Sequence, residues 1–303
     1  MKTFKIFCWS IVFALFSAFY VNAQTEVLEA PQADIITNVE TDIITAKEFT
    51  KLMKANKDLV ILEASKSKIY KKSHVKNAIY INHNDLNQDG EIKGLIKSNE
   101  ELASYFGSKG VSADSEVVIY DDGSQKYSTR VYWILKYLGA DNVKILHKDM
   151  DAWGKARISL TSNVPKIKPT TFTLNPNPAI FATKEDVKIL QSKDNAILFD
   201  ARTKAEYDGT SEKPASDGHI VGAVNLDYKD LLTETGAFKS KDELMAIASA
   251  MGITPDTEII AYCRTSVRAA VIFVAFRNIL GYENVRVYDG AYLEWAIDSP
   301  IVQ

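Results

Sequence analysis

An α/β fold built twice over, each unit a mostly parallel sheet covered by helices, is what this sequence predicts. Three observations carry that expectation. Short apolar runs such as Val60-Ile61-Leu62 and Ile259-Ile260-Ala261 alternate with helical stretches, the pattern of parallel strands buried on both faces. The chain repeats itself, with Ser115 to Trp153 aligning without a gap on Thr257 to Trp295. Between the copies lies a stretch holding Pro165, Pro169, Pro176 and Pro178, which reads as a stiff connector rather than another domain.

Taken in order, residues 1–23 read as an export signal. Lys2 and Lys5 form its charged start, Ile6 to Tyr20 its apolar core, and Val21-Asn22-Ala23 a small-residue cleavage site. An exported chain, periplasmic or extracellular, is expected, with an uncleaved membrane anchor as the alternative. Cleavage would remove two lysines and take the formal charge from −3 to −5, a mildly acidic balance that does not suggest nucleic acid as a partner. It would also remove Cys8, one of two cysteines, and leave Cys263 alone. A leftover thiol in an exported protein is flagged as reactive or intermolecular.

Residues 24–40 read as a polar tether, 41–155 as the first α/β domain, 156–180 as the linker and 181–303 as the second domain. Thr45 and Thr183 are the expected caps of equivalent helices. Asp58 to Ala64 and Asn195 to Ala201 are equivalent strands ending in a carboxylate. His74 to Ile79 matches His219 to Val224, and the second copy carries extra residues around Thr210 to Asp217.

The chemistry concentrates at Tyr262-Cys263-Arg264-Thr265-Ser266-Val267-Arg268. An apolar strand precedes it, and an Ala/Val/Ile/Phe-rich helix running to about Leu280 follows it. Cys263 is therefore expected at the carboxyl end of a strand, where helix N-H groups and two guanidinium groups favour a thiolate and an anionic ligand. A buried, inert cysteine beside two surface arginines is the competing reading. In the first copy Asp121 takes the place of Cys263. Because a carboxylate is no nucleophile toward sulfur and Asp121-Asp122 repel an anion, that copy is expected to be silent.

These residues resemble the rhodanese family of sulfurtransferases in its tandem-domain form. The resemblance rests on Asp200-Ala201-Arg202, Glu206-Tyr207, Gly218 to Asn225, the Cys263-to-Arg268 loop, and Asp289-Gly290 before Trp295. It implies two rhodanese-like domains, the first inactive and the second catalytic. The implied reaction moves sulfane sulfur from a small anionic donor, through a Cys263 persulfide, to cyanide or a thiol. The main chain and side chains of Arg264, Thr265, Ser266, Val267 and Arg268, with Arg202, are the implied donor-binding residues. The competing reading of Arg202 is an ion pair with Asp200, Glu206 or Asp208. Arg264 argues for thiosulfate, while Thr265 leaves 3-mercaptopyruvate open. Many family loops carry glycine at the place of Ser266, which puts in question how easily this backbone turns there.

His219 and His74 occupy equivalent places and are expected to close turns. Glu63 and His74 also match an acid-histidine pair of some mercaptopyruvate enzymes. With dispersed histidines and one mature cysteine, no metal or other cofactor is expected. Trp153 and Trp295 read as core. A phosphatase is disfavoured because such loops place five residues between cysteine and arginine, whereas here four intervene before Arg268. No second cysteine could resolve a mixed disulfide. The remaining rival is a non-enzymatic persulfide carrier that delivers sulfur to a protein acceptor.

Overall fold

The computed structural model describes residues 41–213 and 217–303, and the export-signal and tether readings lie outside the described residues. Two five-stranded sheets carry the fold, and every strand pairing within them is parallel. The first runs in the spatial order Ile43–Ile44, Val143–Leu146, Val117–Tyr120, Val60–Glu63, Ile79–Tyr80. The second repeats that order with Phe181–Ala182, Val285–Tyr288, Glu258–Tyr262, Ala196–Asp200, Ala223–Asn225. Even the small antiparallel pairs are duplicated: His74–Val75 meets Leu160–Thr161, and His219–Ile220 meets Ile301–Val302. Among the described residues no helix is long and apolar enough to cross a membrane.

Local sequence explains the helix starts. Thr45 caps Ala46–Ala55 in a reciprocal box with Glu48, and Thr183 caps Lys184–Leu190 with Asp186, as the sequence predicts. Ser98 with Glu101 and Ser240 with Glu243 form the same box on Asn99–Ser108 and Lys241–Ala250. The helix expected after Cys263 is regular only over Ala269–Phe273; Val274–Ile279 widens to a π-helical turn, where the Leu280 N-H bonds the Ala275 carbonyl. The proline-bearing connector lies along the first copy, with N-H groups of Thr170, Asn175 and Asn177 bonded to carbonyls of Gly107, Leu138 and Tyr137, and with Phe172 buried.

The helix Lys126–Tyr137 packs against the helix that follows Cys263, and Val131, Ile134 and Leu135 belong to one apolar core with Val271, Ile272 and Ala275. Each fully buried aliphatic side chain contributes about 1.5–3 kcal/mol, so this shared core outweighs any single polar contact in holding the copies together. The two active-loop positions, Cys263 and Asp121, therefore begin loops that lead into the helices of this shared core.

Candidate active site

Glu258–Tyr262 is the middle strand of its sheet, pairing with Ala196–Asp200 on one side and Val285–Tyr288 on the other. Its register sets Tyr262 beside Asp200, so Cys263 leaves the sheet at its carboxyl end, as expected for a ligand-binding turn. Cys263 is a buried free thiol. Its Sγ accepts a hydrogen bond from the Arg268 N-H at 3.3 Å, which closes the loop on the sulfur. The Cys263 carbonyl is held from behind by the Tyr292 N-H at 2.9 Å.

The arginines divide into different roles. Arg202, expected to contact the donor, is fully buried and bound instead to Asp200: Nε lies 2.9 and 3.0 Å from the two carboxylate oxygens, and Nη2 lies 2.6 Å from Oδ2. Nη2 also donates to the Gly218 carbonyl, and the guanidinium sits 4.1 Å from the centre of the Tyr292 ring. Of the two readings of Arg202, the structure shows the ion pair with Asp200, two residues earlier in the chain.

Arg268 is held by a bidentate pair with Glu206, at 2.7 and 3.0 Å. Burial alone would lower its pKa, but Cys263 and Glu206 reverse that and raise it. Burial likewise disfavours the Glu206 carboxylate, yet Arg268 and Thr203 bring its pKa down to about 2. Arg264 is different. It is half-exposed, forms no ion pair among the described residues, and its buried Nε has no partner.

Ser266 adopts φ 58°, the left-handed conformation that glycine takes most readily. Its hydroxyl donates to the Tyr288 carbonyl and, at 3.2 Å, to the Asp289 carbonyl. These bonds offset the backbone cost and show how the loop closes without glycine. They also commit the Ser266 side chain to the neighbouring strand end, leaving only its main chain to a ligand. Thr265 and Val267 are half-buried, and Thr265 meets Gly94 of the first copy.

In the first copy, Asp121 fills its own loop. Its carboxylate accepts N-H bonds from Gly123, Gln125, Tyr127 and Ser128 at 2.8 to 3.2 Å. A loop of this length between strand and helix can therefore enclose one small acceptor group, here a carboxyl supplied by the chain itself; burial and then Asp122 raise its pKa against those N-H bonds. The two backbones are not superposable, since left-handed residues fall at Gly123 and Gln125 in one loop and at Ser266 in the other.

His74 and His219 stack on Tyr70 and Tyr207 and bond those tyrosines' carbonyls through Nδ1, at 2.8 and 2.9 Å, which fits the expected turn-closing role. Glu63 bonds the Tyr120 hydroxyl rather than His74. Trp153 and Trp295 are buried and donate to main-chain carbonyls. The sequence marks Glu206 as part of the resemblance and as a candidate partner of Arg202, and not as the partner of Arg268. The Thr203-x-x-Glu206 capping box places that carboxylate at a helix start, yet nothing local points it at Arg268.

The rhodanese-like domain family matches residues 45–156 and again 183–298. The chain is 34% identical over 213 residues to the thiosulfate sulfurtransferase of Bos taurus, covering 68% of this chain and 71% of that one. It is 30% identical over 239 residues to a sulfur carrier protein of Thermus thermophilus, covering 75% and 84%. Among solved structures, the 3-mercaptopyruvate sulfotransferase SseA of Escherichia coli superposes with a TM-score of 0.73 at 26% identity, over 83% of this chain and 98% of that one. Two parallel-sheet domains matched by one family, joined to relatives that transfer sulfur, make this chain a tandem-domain member of the rhodanese family of sulfurtransferases.

Proposed function

We propose that the protein is a thiosulfate sulfurtransferase acting through a Cys263 persulfide, with the first domain catalytically silent. The observation that supports this reading most directly is a buried Cys263 Sγ, bonded by the Arg268 N-H, in a loop whose Arg264 forms no ion pair among the described residues. The Cys263 thiolate attacks the sulfane sulfur of thiosulfate, a new S–S bond forms, and sulfite leaves with the electrons of the broken bond. Cyanide or a thiolate then attacks the terminal sulfur; with cyanide the product is thiocyanate and the Cys263 thiolate returns. Arg264 pairs with the donor anion, and loop N-H groups face the persulfide charge without a metal. Arg268 keeps the loop shaped through Glu206. Export of the mature chain is part of the same proposal.

A 3-mercaptopyruvate donor is the second reading, favoured by the small hydroxyl side chain of Thr265. The test is intact mass after incubation with each donor, followed by cyanide and a thiocyanate assay. One added sulfur and multiple turnover are expected, with thiosulfate giving the larger kcat/KM. No adduct, or an undiminished rate in Cys263→Ser, refutes the mechanism; an adduct without turnover identifies a persulfide carrier.

A further inference from the structure

The contacts that cover Thr265 come from the domain whose own loop is silent. Residues 87–97 form a turn closed by hydrogen bonds from the Gln88 N-H to the Leu95 carbonyl and from the Lys97 N-H to the Leu86 carbonyl, at 2.8 and 2.9 Å. Gly94, at φ +97°, is buried in this largely exposed turn and lies against Thr265: a Cβ there would fall 2.6 Å from the Thr265 Cβ and 3.1 Å from its Cα. No side chain fits between them. The Gly94 carbonyl accepts from Arg130 Nη2 at 3.0 Å, and the same nitrogen donates to Asp289 Oδ1 at 2.6 Å. The other oxygen of Asp289 accepts from the Ile96 N-H at 2.8 Å. Asp289 thus holds the turn directly at Ile96 and, through Arg130, at Gly94, while its own carbonyl receives the Ser266 hydroxyl.

The duplication supplies an internal control. Gly236 of the second copy lies against Gly123, where a Cβ would meet the Gly123 carbonyl oxygen at 2.2 Å, and the Phe238 N-H approaches His147 Nε2 at 3.5 Å. By the gapless repeat, Gly123 corresponds to Thr265, His147 to Asp289 and Ile272 to Arg130. Each domain therefore lays an equivalent turn on the other's loop. Among the described residues, only the turn over the reactive loop is held by an ion pair. Arg130 and Asp289 are both almost fully buried, and Arg130 Nε and Nη1 have no hydrogen-bond partner among the described residues. A buried ion pair is weak support for stability, and the silent side shows that the seat can be made without one.

We infer that Arg130, Asp289 and Gly94 are positioning residues for donor selection: the silent domain sets where Thr265 stands beside Cys263, and so which donor fits. This rests on the Cys263 sulfurtransferase reading. It predicts that loosening the seat changes donor binding more than turnover.

The test compares the parent with Asp289→Asn and with the double variant Arg130→Ile/Asp289→His, which installs the silent side's own pair and removes the uncompensated buried charge. Measurements are KM and kcat for thiosulfate and 3-mercaptopyruvate, the thermal midpoint, and the iodoacetamide alkylation rate of Cys263 located by peptide mass. The expected result for the folded double variant is a donor KM raised about tenfold, a kcat within about threefold, and a changed ratio of kcat/KM between the two donors. Parental KM and donor ratio in that variant would overturn the inference. If the parent turns over neither donor, the sulfurtransferase reading fails by itself. Cys263 alkylation then decides the positioning role: a severalfold faster rate in the double variant supports it and an unchanged rate refutes it.

Discussion

Under the proposed reading, Arg264 meets the donor because, among the described residues, it is the loop arginine without an internal carboxylate. Arg202 pairs with Asp200, Arg268 pairs with Glu206, and Arg264 forms no ion pair among the described residues. Truncating Arg264 to Ala should therefore raise the donor KM about tenfold or more, since hydrogen bonds to charged groups contribute about 1.5–3 kcal/mol, with little change in thermal midpoint. Arg202→Ala should do the opposite. It leaves Asp200 buried without its cation, a loss of about 3–5 kcal/mol visible in denaturant unfolding. Steady-state kinetics and unfolding on the same two variants separate the roles, and a KM effect confined to Arg202→Ala would reverse the assignment. Sequence alone showed three arginines in a suggestive order. It offered Asp200 as one candidate for Arg202 but not the partner of Arg268, because Glu206 and Arg268 lie far apart in the chain and meet only once the sheet is assembled.

At the scale of the element, the strand-loop-helix unit around Cys263 was legible because its signals are local: an apolar strand, a thiol, then an apolar helix. The caps at Thr45 and Thr183 were legible for the same reason, as each side chain bonds its own helix start. The closure at Ser266 was not legible, since its partners are the carbonyls of another strand's end. Ser266→Ala should keep the left-handed backbone cost while losing both hydroxyl bonds, a destabilisation of about 1–2 kcal/mol. Ser266→Gly loses the same bonds but relieves the backbone, so it should unfold closer to the parent. Chemical denaturation of the pair checks the order, and a glycine variant less stable than the alanine variant would contradict this account of the loop.

At the scale of the molecule, duplication explains both the legible architecture and its hidden half. The repeat made two similar sheets predictable, and their strand orders agree element for element. The exchange of turns was hidden, because Gly94 and Gly236 read in isolation as ordinary loop glycines. That exchange buries His147 against Phe238, and His83 packs on Tyr127 beside the helix of the shared core. Burial pushes both imidazoles down to about 4; for His83, Arg130 and Lys126 push the same way. A histidine whose folded pKa lies below its ordinary value of about 6.5 contributes stability that is present above that value and lost as pH falls through the folded pKa. The thermal midpoint should therefore drop between about pH 6.5 and pH 4. His147→Gln cannot take up a ring proton, so its midpoint should fall less steeply over that window while starting lower at pH 7, where the ring's packing on Phe238 is lost. Parallel melting curves across the range test this; equal slopes for parent and variant would mean that His147 does not set the acid sensitivity of the domain contact.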